Sequence, residues 1–551
     1  MEVYCTNLEQ YIPVNSGETL AGIWEKLRDK IGFEPICAKV NNKVENLDYE
    51  VFRPKQVEFL PITSRDGASV YQHSLTMLLY RASLSLVPDS VMRVEQAVAR
   101  GLYVIIHGFE STKENAFALK SAMESLVRRN LPLCIGEKRT SDLLPDFERQ
   151  GLRAKAELLR TIRPLYTTFY TLDGIKDSYY GPLATHTGCL RVFDVLPYHE
   201  GFLLMSFDPS NPSTPQTPTK QEKMFEAFRE HKRFNRICDV ENIGQLNRVV
   251  ERGVAADIVN VAEALHEKSI SQIAEKIALK HAAGGARFVL IAGPSSSGKT
   301  TTTKRLGIQL TTRLLRPQLI SLDNYFVERD RTPRDETGDY DFESLYALDL
   351  ELFNDHLNAL IRGEEVELPY YNFETGKREY RGEKIRLDAG SILLIEGIHG
   401  LNPELTANVP EEMKYRVYVS ALTTLAIDYH NHIPTSDNRL IRRIVRDAKY
   451  RGISADETIR RWPSVRRGEE KWIFPYQENA DAMFNSSLLF ELAVLKDFAE
   501  NQLRNVPSDL PEFSEAFRLK KFLSYFLPID SAMVPSTSLL REFIGGSSFR
   551  Y

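Results

Sequence analysis

Several things are scarce in this chain, and each scarcity removes a class of answer. No apolar run in its 551 residues approaches the eighteen or so needed to cross a bilayer, so no membrane partner is expected. The five cysteines (Cys5, Cys37, Cys134, Cys189 and Cys238) are odd in number, far apart and free of any C-x-x-C pair. That is the pattern of reduced cytosolic thiols rather than of a disulfide framework. Excess positive charge is missing too. A net charge of −5 and a pI near 6.2 make no global case for nucleic-acid binding, although a local basic patch stays possible. The opening MEVYCTNLEQ lacks the basic start and apolar core of a signal peptide, and a cytoplasmic location is expected.

What is present is ordinary in bulk: 42% hydrophobic and 26% charged residues, a folded globular composition in a chain long enough for three or four domains. One stretch is specific. Residues 293–300 read Gly-Pro-Ser-Ser-Ser-Gly-Lys-Thr and fit G-x-x-x-x-G-K-[ST] at every fixed position, the loop that cradles the phosphates of a nucleoside triphosphate. Gly293 and Gly298 let the backbone turn and aim its N–H groups at phosphate. Ser295, Ser296, Ser297 and Thr301 complete the expected ATP-binding set. Lys299 supplies charge for the β- and γ-phosphates, and Thr300 is placed to ligate Mg²⁺. A Gly/Ser turn that binds nothing is the competing reading. The context opposes it, because RFVLIA (287–292) reads as a buried parallel strand. The following residues, 301–315, carry Leu306, Leu310 and Leu314 at helical period.

Further along, two apolar runs end in acids. Leu319–Leu322 runs into Asp323-Asn324-Tyr325-Phe326, and Ser391–Ile395 into Glu396-Gly397. Acids at the C-terminal ends of parallel strands face the crevice where α/β sheets bind ligands. An acid at the first place can take the acceptor hydroxyl's proton, and one at the second can serve Mg²⁺. Each could instead be a turn or solvated loop residue. The segments Gly338–Phe342 and Leu368–Phe373 are rich in aromatics that could stack on a base or fill a core. Arg439, Arg442, Arg443 and Arg446 share one helix face, with Arg451 beyond; a solvated basic helix competes with a phosphate clamp. The later arginines 460, 461, 466 and 467 could extend that clamp or meet an RNA or acidic partner.

In this order, the motifs of residues 286–500 resemble the uridine kinase branch of the phosphoribulokinase/uridine kinase family. The resemblance implies an α/β P-loop kinase domain, a parallel sheet flanked by helices, using Mg²⁺ with ATP or GTP. It implies catalytic roles for Asp323, Lys299, Arg443 and Arg446, and metal contacts from Thr300 and Glu396. Substrate contacts would come from Tyr325, Tyr340, Asp341, Tyr371, Phe373 and Arg451, with the arginine helix acting as a lid that excludes water. The implied activity is transfer of the γ-phosphate to the 5′-hydroxyl of uridine or cytidine. One departure stands out: the family usually carries a His after the second aromatic segment, where this chain has Glu374-Thr375-Gly376-Lys377. A kinase of another small hydroxyl substrate such as a sugar phosphate is therefore a second expectation. A nucleotide-gated RNA- or ribosome-binding protein is a third.

The front of the chain reads as strand, turn, strand, helix, strand, with the helix carrying Leu20, Ile23, Trp24 and Leu27. It resembles the TGS module of threonyl-tRNA synthetases, a ubiquitin-like β-grasp fold. Residues 63–207 resemble the α+β editing domain that follows in those synthetases. His73 matches one metal-ligand position, but Met77 and Leu183 stand where two further histidines belong, and thioether is a poor ligand for such a metal. Editing chemistry is therefore not expected; RNA or tRNA contact by this half, and a homo-oligomer, are left open as partners beside the nucleoside. Between the halves, Asp208–Lys220 has prolines at 209, 212, 215 and 218, the spacing of an exposed polyproline II strut. Helical periodicity then runs from Ile258 to Ile277 and ends at Gly284-Gly285. The expected organisation is 1–62, 63–207, a linker and helical connector over 208–285, 286–500, and a C-terminal tail over 501–551.

Overall fold

The structure is a computed structural model that describes residues 1–335 and 338–550. Residues 2–60 form a five-stranded mixed sheet, in the spatial order Gln10–Pro13, Glu2–Cys5, Gln56–Leu60, Cys37–Val40 and Lys43–Glu45. Of its three inner strands, Glu2–Cys5 and Gln56–Leu60 run parallel. One helix, Leu20–Ile31, packs on it and buries Leu20, Ile23, Trp24 and Leu27, the apolar positions the period singled out. The Thr19 hydroxyl caps its start by accepting from the Gly22 N–H, and Gly32 ends it at φ 72°.

The next unit sets the long helix Arg65–Leu86 beside a four-stranded antiparallel sheet (Asp194–Tyr198, Gly201–Met205, Gly101–Ile106, Met92–Val98) and a three-stranded one (Cys134–Arg139, Tyr166–Leu172, Ile175–Asp177). Met77 and Leu183 are both fully buried in its apolar core. The proline-rich stretch differs from expectation. Phe207–Asp208 pairs with Asn211–Pro215 as a short ladder, so prolines 209, 212 and 215 belong to a hairpin and not to an extended strut. Pro209 opens the turn, and the Asp208 carboxylate closes it by accepting from the Ser210 N–H at 2.9 Å. Three helices follow, Glu222–Ile237, Ile243–Glu251 and Ala255–Ala282.

The second half is built on a five-stranded parallel sheet. Its order is Arg316–Ser321, Ser391–Glu396, Phe288–Ala292, Lys414–Ser420, Ala482–Asn485. Every residue of the central strand Phe288–Ala292 is buried, as a parallel strand covered on both faces requires. Helices Lys299–Thr311, Thr435–Tyr450, Ala455–Trp472 and Glu491–Leu503 flank the sheet. A separate hairpin, Val366–Asn372 with Lys377–Ile385, stands beside it. The C-terminal residues are integral to this half: Leu539, Leu540, Phe543 and Ile544 are buried in the same core as Val289 and Ile291. Among the described residues no helix is long and apolar enough to cross a membrane.

A buried polar network joins the two halves. The segment between Ser420 and the helix Thr435–Tyr450 sends His430 to Asp177, with Nδ1 2.6 Å from the carboxylate. Lys155 pairs with Asp177 and lies 3.4 Å from Asp428. Asn431 donates to the Ser178 carbonyl at 3.2 Å.

Candidate active site

The central strand delivers the chain into the loop 293–300, and the loop into the helix Lys299–Thr311. Two positions of the loop have positive φ, Ser296 at 57° and Gly298 at 83°. A Cβ at Gly293 would collide with the Val419 carbonyl of the next strand, so only glycine lets the loop leave the sheet at this point. Lys299 Nζ folds back onto the Pro294 carbonyl at 3.2 Å.

The loop's carbonyls are held from outside. Arg439 Nε donates to Ser295 O at 2.9 Å, Arg442 Nη1 to Ser296 O at 3.3 Å, and the Ser486 hydroxyl to Ser297 O at 2.5 Å. Two of the loop's peptide donors are engaged as well, the Ser295 N–H with the Glu469 carboxylate at 3.1 Å and the Ser297 N–H with the Pro294 carbonyl at 3.2 Å. The two guanidiniums are 1% and 0% exposed, and each is paired with a buried acid, Arg439 with Glu469 and Arg442 with Glu491 at 2.5 Å. This corrects the lid expectation for both residues. They cannot swing over a substrate, because unpairing a buried charge is too costly; they brace the loop instead. The helix face that remains presents Arg443, whose Nη1 donates to the Ser295 hydroxyl at 3.0 Å. Arg443, Arg446 and Arg451 fan around buried Asp447, at 3.2, 3.0 and 3.4 Å.

The two strand-end acids come together as their register demands. Ser321 pairs with Glu396, and Glu396 with Ile291 of the loop's own strand. Asp323 follows on a short 3₁₀ turn, Leu322–Tyr325. It is open to solvent at the floor of the cleft yet surrounded by protein, and this desolvation raises its pKa against the pull of Lys299, Arg451 and Arg446. Burial likewise pushes Glu396 up to about 7, with Asp323 and Glu542 adding to the rise and Lys299 and the Thr300 hydroxyl opposing it. A hydroxyl and a carboxylate side by side, with a second carboxylate close by, suit a hard cation. Mg²⁺ needs few protein oxygens because water and phosphate complete its shell. Among the described residues no cluster of three His, Cys, Asp or Glu forms a cage of its own.

Beside Asp323 lies an aromatic wall. Phe326 is 5.5 Å from Tyr371, 5.9 Å from Phe342 and 6.0 Å from Phe373, ring centre to ring centre. Phe373 is 54% exposed and offers a face to a ligand; Tyr371 is buried behind it. Tyr340 lies under the Arg334 guanidinium at 4.4 Å, and the Asp341 carboxylate accepts from the Glu343 N–H at 3.2 Å. Tyr325 is not in the cleft. Its ring packs on Phe353 and its hydroxyl meets His356 Nδ1 at 3.0 Å, inside the core.

Glu343 was not foreseen from the sequence. It stands against Gly468, and its Oε2 is buried with no hydrogen-bond partner. Burial raises its pKa to about 7, with Glu469 and Asp323 adding to the rise and Arg443 and Lys299 opposing it. A perturbed carboxylate without a partner, among the site's charges, is a candidate ligand group. Only its place two residues after Asp341 hinted at it.

This geometry joins a phosphate loop, strand-end acids and a rim of arginines on one parallel sheet. Residues 288–489 also match the sequence model of the phosphoribulokinase/uridine kinase family. Residues 288–489 form a kinase domain of that family. Uridine kinases are among this domain's relatives. That of Brevibacillus brevis is 26% identical over 232 residues, 42% of this chain and 98% of that protein. That of Bacillus pumilus is 29% identical over 192 residues, 35% of this chain and 82% of that protein. A solved structure of a possible uridine kinase from Bacillus stearothermophilus aligns over 36% of this chain and 89% of its own, at 22% identity and a TM-score of 0.25.

Proposed function

We propose that the chain is a cytoplasmic ATP- or GTP-dependent kinase that phosphorylates the 5′-hydroxyl of a pyrimidine nucleoside, uridine or cytidine. What supports this reading is Asp323 under the pull of Lys299, Arg451 and Arg446, with the exposed ring of Phe373 packed on Phe326, three residues further along the chain. An acceptor stacked on the wall would bring its hydroxyl to the carboxylate. Asp323 would orient that hydroxyl and take its proton. Lys299, Arg443 and Arg446 would neutralise charge on the transferring group. Glu343, Asp341 and Tyr340 line the same side and would grip the sugar. Mg²⁺, held by Thr300 and Glu396, would supply further charge neutralisation on the phosphates. A sugar-phosphate acceptor is the second reading. Arg329 donates to the Phe373 carbonyl, which puts a cation at the end of the wall where the family's base-reading His is missing.

Turnover of ATP against a panel of nucleosides and sugar phosphates tests the proposal. Stimulation by uridine or cytidine is expected, and turnover indifferent to every small hydroxyl compound would sink it. Phe373→Ala should raise KM for the nucleoside about tenfold with kcat little changed, since it removes stacking on an exposed ring. The pH profile is a further check. Asp323 and Glu396 are raised, so each is neutral on the acid side and ionised above. Turnover should therefore climb with pH through about 7, and the acid limb should move to lower pH as Mg²⁺ is increased, because a bound cation favours the ionised carboxylate. A profile unmoved by Mg²⁺ would count against Glu396 as a ligand.

For the front half we propose a TGS-like β-grasp module over 1–62 and a synthetase-like α+β domain over 63–207 that has lost editing chemistry. The connector over 208–285 leads to the kinase domain over 286–500 and the packed tail over 501–551. His73 lies deep beside Tyr180, and burial together with the neighbouring His432 of the kinase half pushes its imidazole down to about 3. That environment favours a structural role over binding of RNA at this cleft.

A further inference from the structure

The last helical turn of the chain reaches the phosphate loop. Leu539, Leu540, Phe543 and Ile544 are buried beside Leu306, Leu440 and Ile441, and they fix the backbone on either side of Glu542. Leu539 lies so close to Gly298 that a Cβ there would be 2.7 Å from its methyl groups. Between these anchors Glu542 is half-buried and turned toward the first turn of the helix Lys299–Thr311. Its Oε2 accepts from the Thr301 hydroxyl at 2.5 Å and from the Thr301 N–H at 3.3 Å. Its charge is felt by Glu396 and by Lys304.

Thr301 directly follows the last fixed position of the loop. Its N–H lies in the first turn of the helix, and the N–H groups of such a turn seat the phosphate nearest the nucleoside in a loop of this kind. A carboxylate already sits on them. We propose that Glu542 is an internal occupant of the phosphate site, an autoinhibitory contact that an incoming triphosphate must displace. The proposal rests on the reading of residues 293–300 as a triphosphate site. Two anions cannot share one pair of donors, so the binding-competent state is the one with Glu542 rotated away, and apparent affinity falls by the fraction of molecules in that state. Rotation of one flexible side chain is enough; the buried residues around it hold the tail in place.

The seat lies at the nucleoside end of the loop, while Lys299 serves the far end. Relief should therefore favour ATP over inorganic pyrophosphate, which can bind by the far end alone. Calorimetric titration of the full-length protein, wild type against Glu542→Ala and Glu542→Gln, measures this. Mg²⁺–ATP is expected to bind roughly tenfold more tightly to Glu542→Ala, and less so to Glu542→Gln, which keeps an acceptor but loses the charge. The gain should shrink as salt is raised, and affinity for Mg²⁺–pyrophosphate should change by less than about twofold. Glu542→Gln preserves shape, so it reports even if the alanine variant is unstable. ATP affinity unchanged or weaker in Glu542→Gln overturns the proposal. So does an equal gain for pyrophosphate, since the contact would then not be specific to Thr301. If neither wild type nor variant binds ATP, the triphosphate reading itself falls and the proposal with it.

Discussion

Asp323→Asn is expected to lower acceptor-dependent phosphoryl transfer by about a thousandfold or more while leaving triphosphate affinity within about twofold. The carboxylate stands on a 3₁₀ turn at the end of its strand, open at the floor of the cleft and under the pull of Lys299, Arg446 and Arg451. Asparagine keeps its size but cannot take a proton. Transfer would then lack both the base and the group that holds the acceptor oxygen in line. The loop's contacts with Arg439, Arg442 and Ser486 do not involve Asp323, so nucleotide binding should persist. Initial rates with uridine, paired with ATP titrations, separate the two effects. A variant that retains more than about a tenth of the wild-type rate would remove Asp323 from the catalytic role.

Asp177→Ala should cost about 3–5 kcal/mol of stability, because it leaves buried Lys155 to the more distant Asp428, at 3.4 Å. Asp177 is 0% exposed. It accepts from Lys155, from His430 at 2.6 Å and from the Ser178 N–H at 2.7 Å. Burial works against its charge, but Lys155 and His430 outweigh it and hold the carboxyl well below the usual range. The sign follows from linkage. An acid with a depressed folded-state pKa adds stability above its unfolded value, near 3.9, and that stability is lost as pH falls through the folded value. Urea denaturation at about pH 7, with hydrogen exchange to localise the change, should show both halves loosening where residues 153–180 meet 426–434. Adding Lys155→Met to Asp177→Ala should recover only part of the loss, because buried Asp428 then loses its cation. A cost below about 1 kcal/mol for the single change would show that the network is solvated and that the halves are joined elsewhere.

Much of the candidate site could be read along the chain. The loop, its strand and helix and both strand-end acids are local patterns, and the structure sets the loop between that strand and helix and the acids at or just past their strand ends. The arginine stripe shows the limit. Spacing put Arg439, Arg442, Arg443 and Arg446 on one side of a helix, but could not say which would meet Glu469 and Glu491 in the interior and which would face the cleft. Tyr325 shows it again: next to a catalytic candidate in sequence, its side chain turns the other way, to Phe353 and His356.

The sequence by itself determined the loop at 293–300 and the order of strands and acids that marks a kinase-family domain. Those properties rest on short stretches whose backbone geometry and residue types act within a few positions of one another. Only the tertiary structure decided what surrounds them. Glu343, Glu469 and Glu491 are ordinary acids in the sequence, and Glu542 lies 241 residues from Thr301. Glu469, Glu491 and Glu542 gain their roles from packing that sets each against a distant partner, and Glu343 from burial that leaves its Oε2 without one. The same reason covers Asp177 and His430, 253 residues apart, since no local pattern records which buried charge will neutralise another.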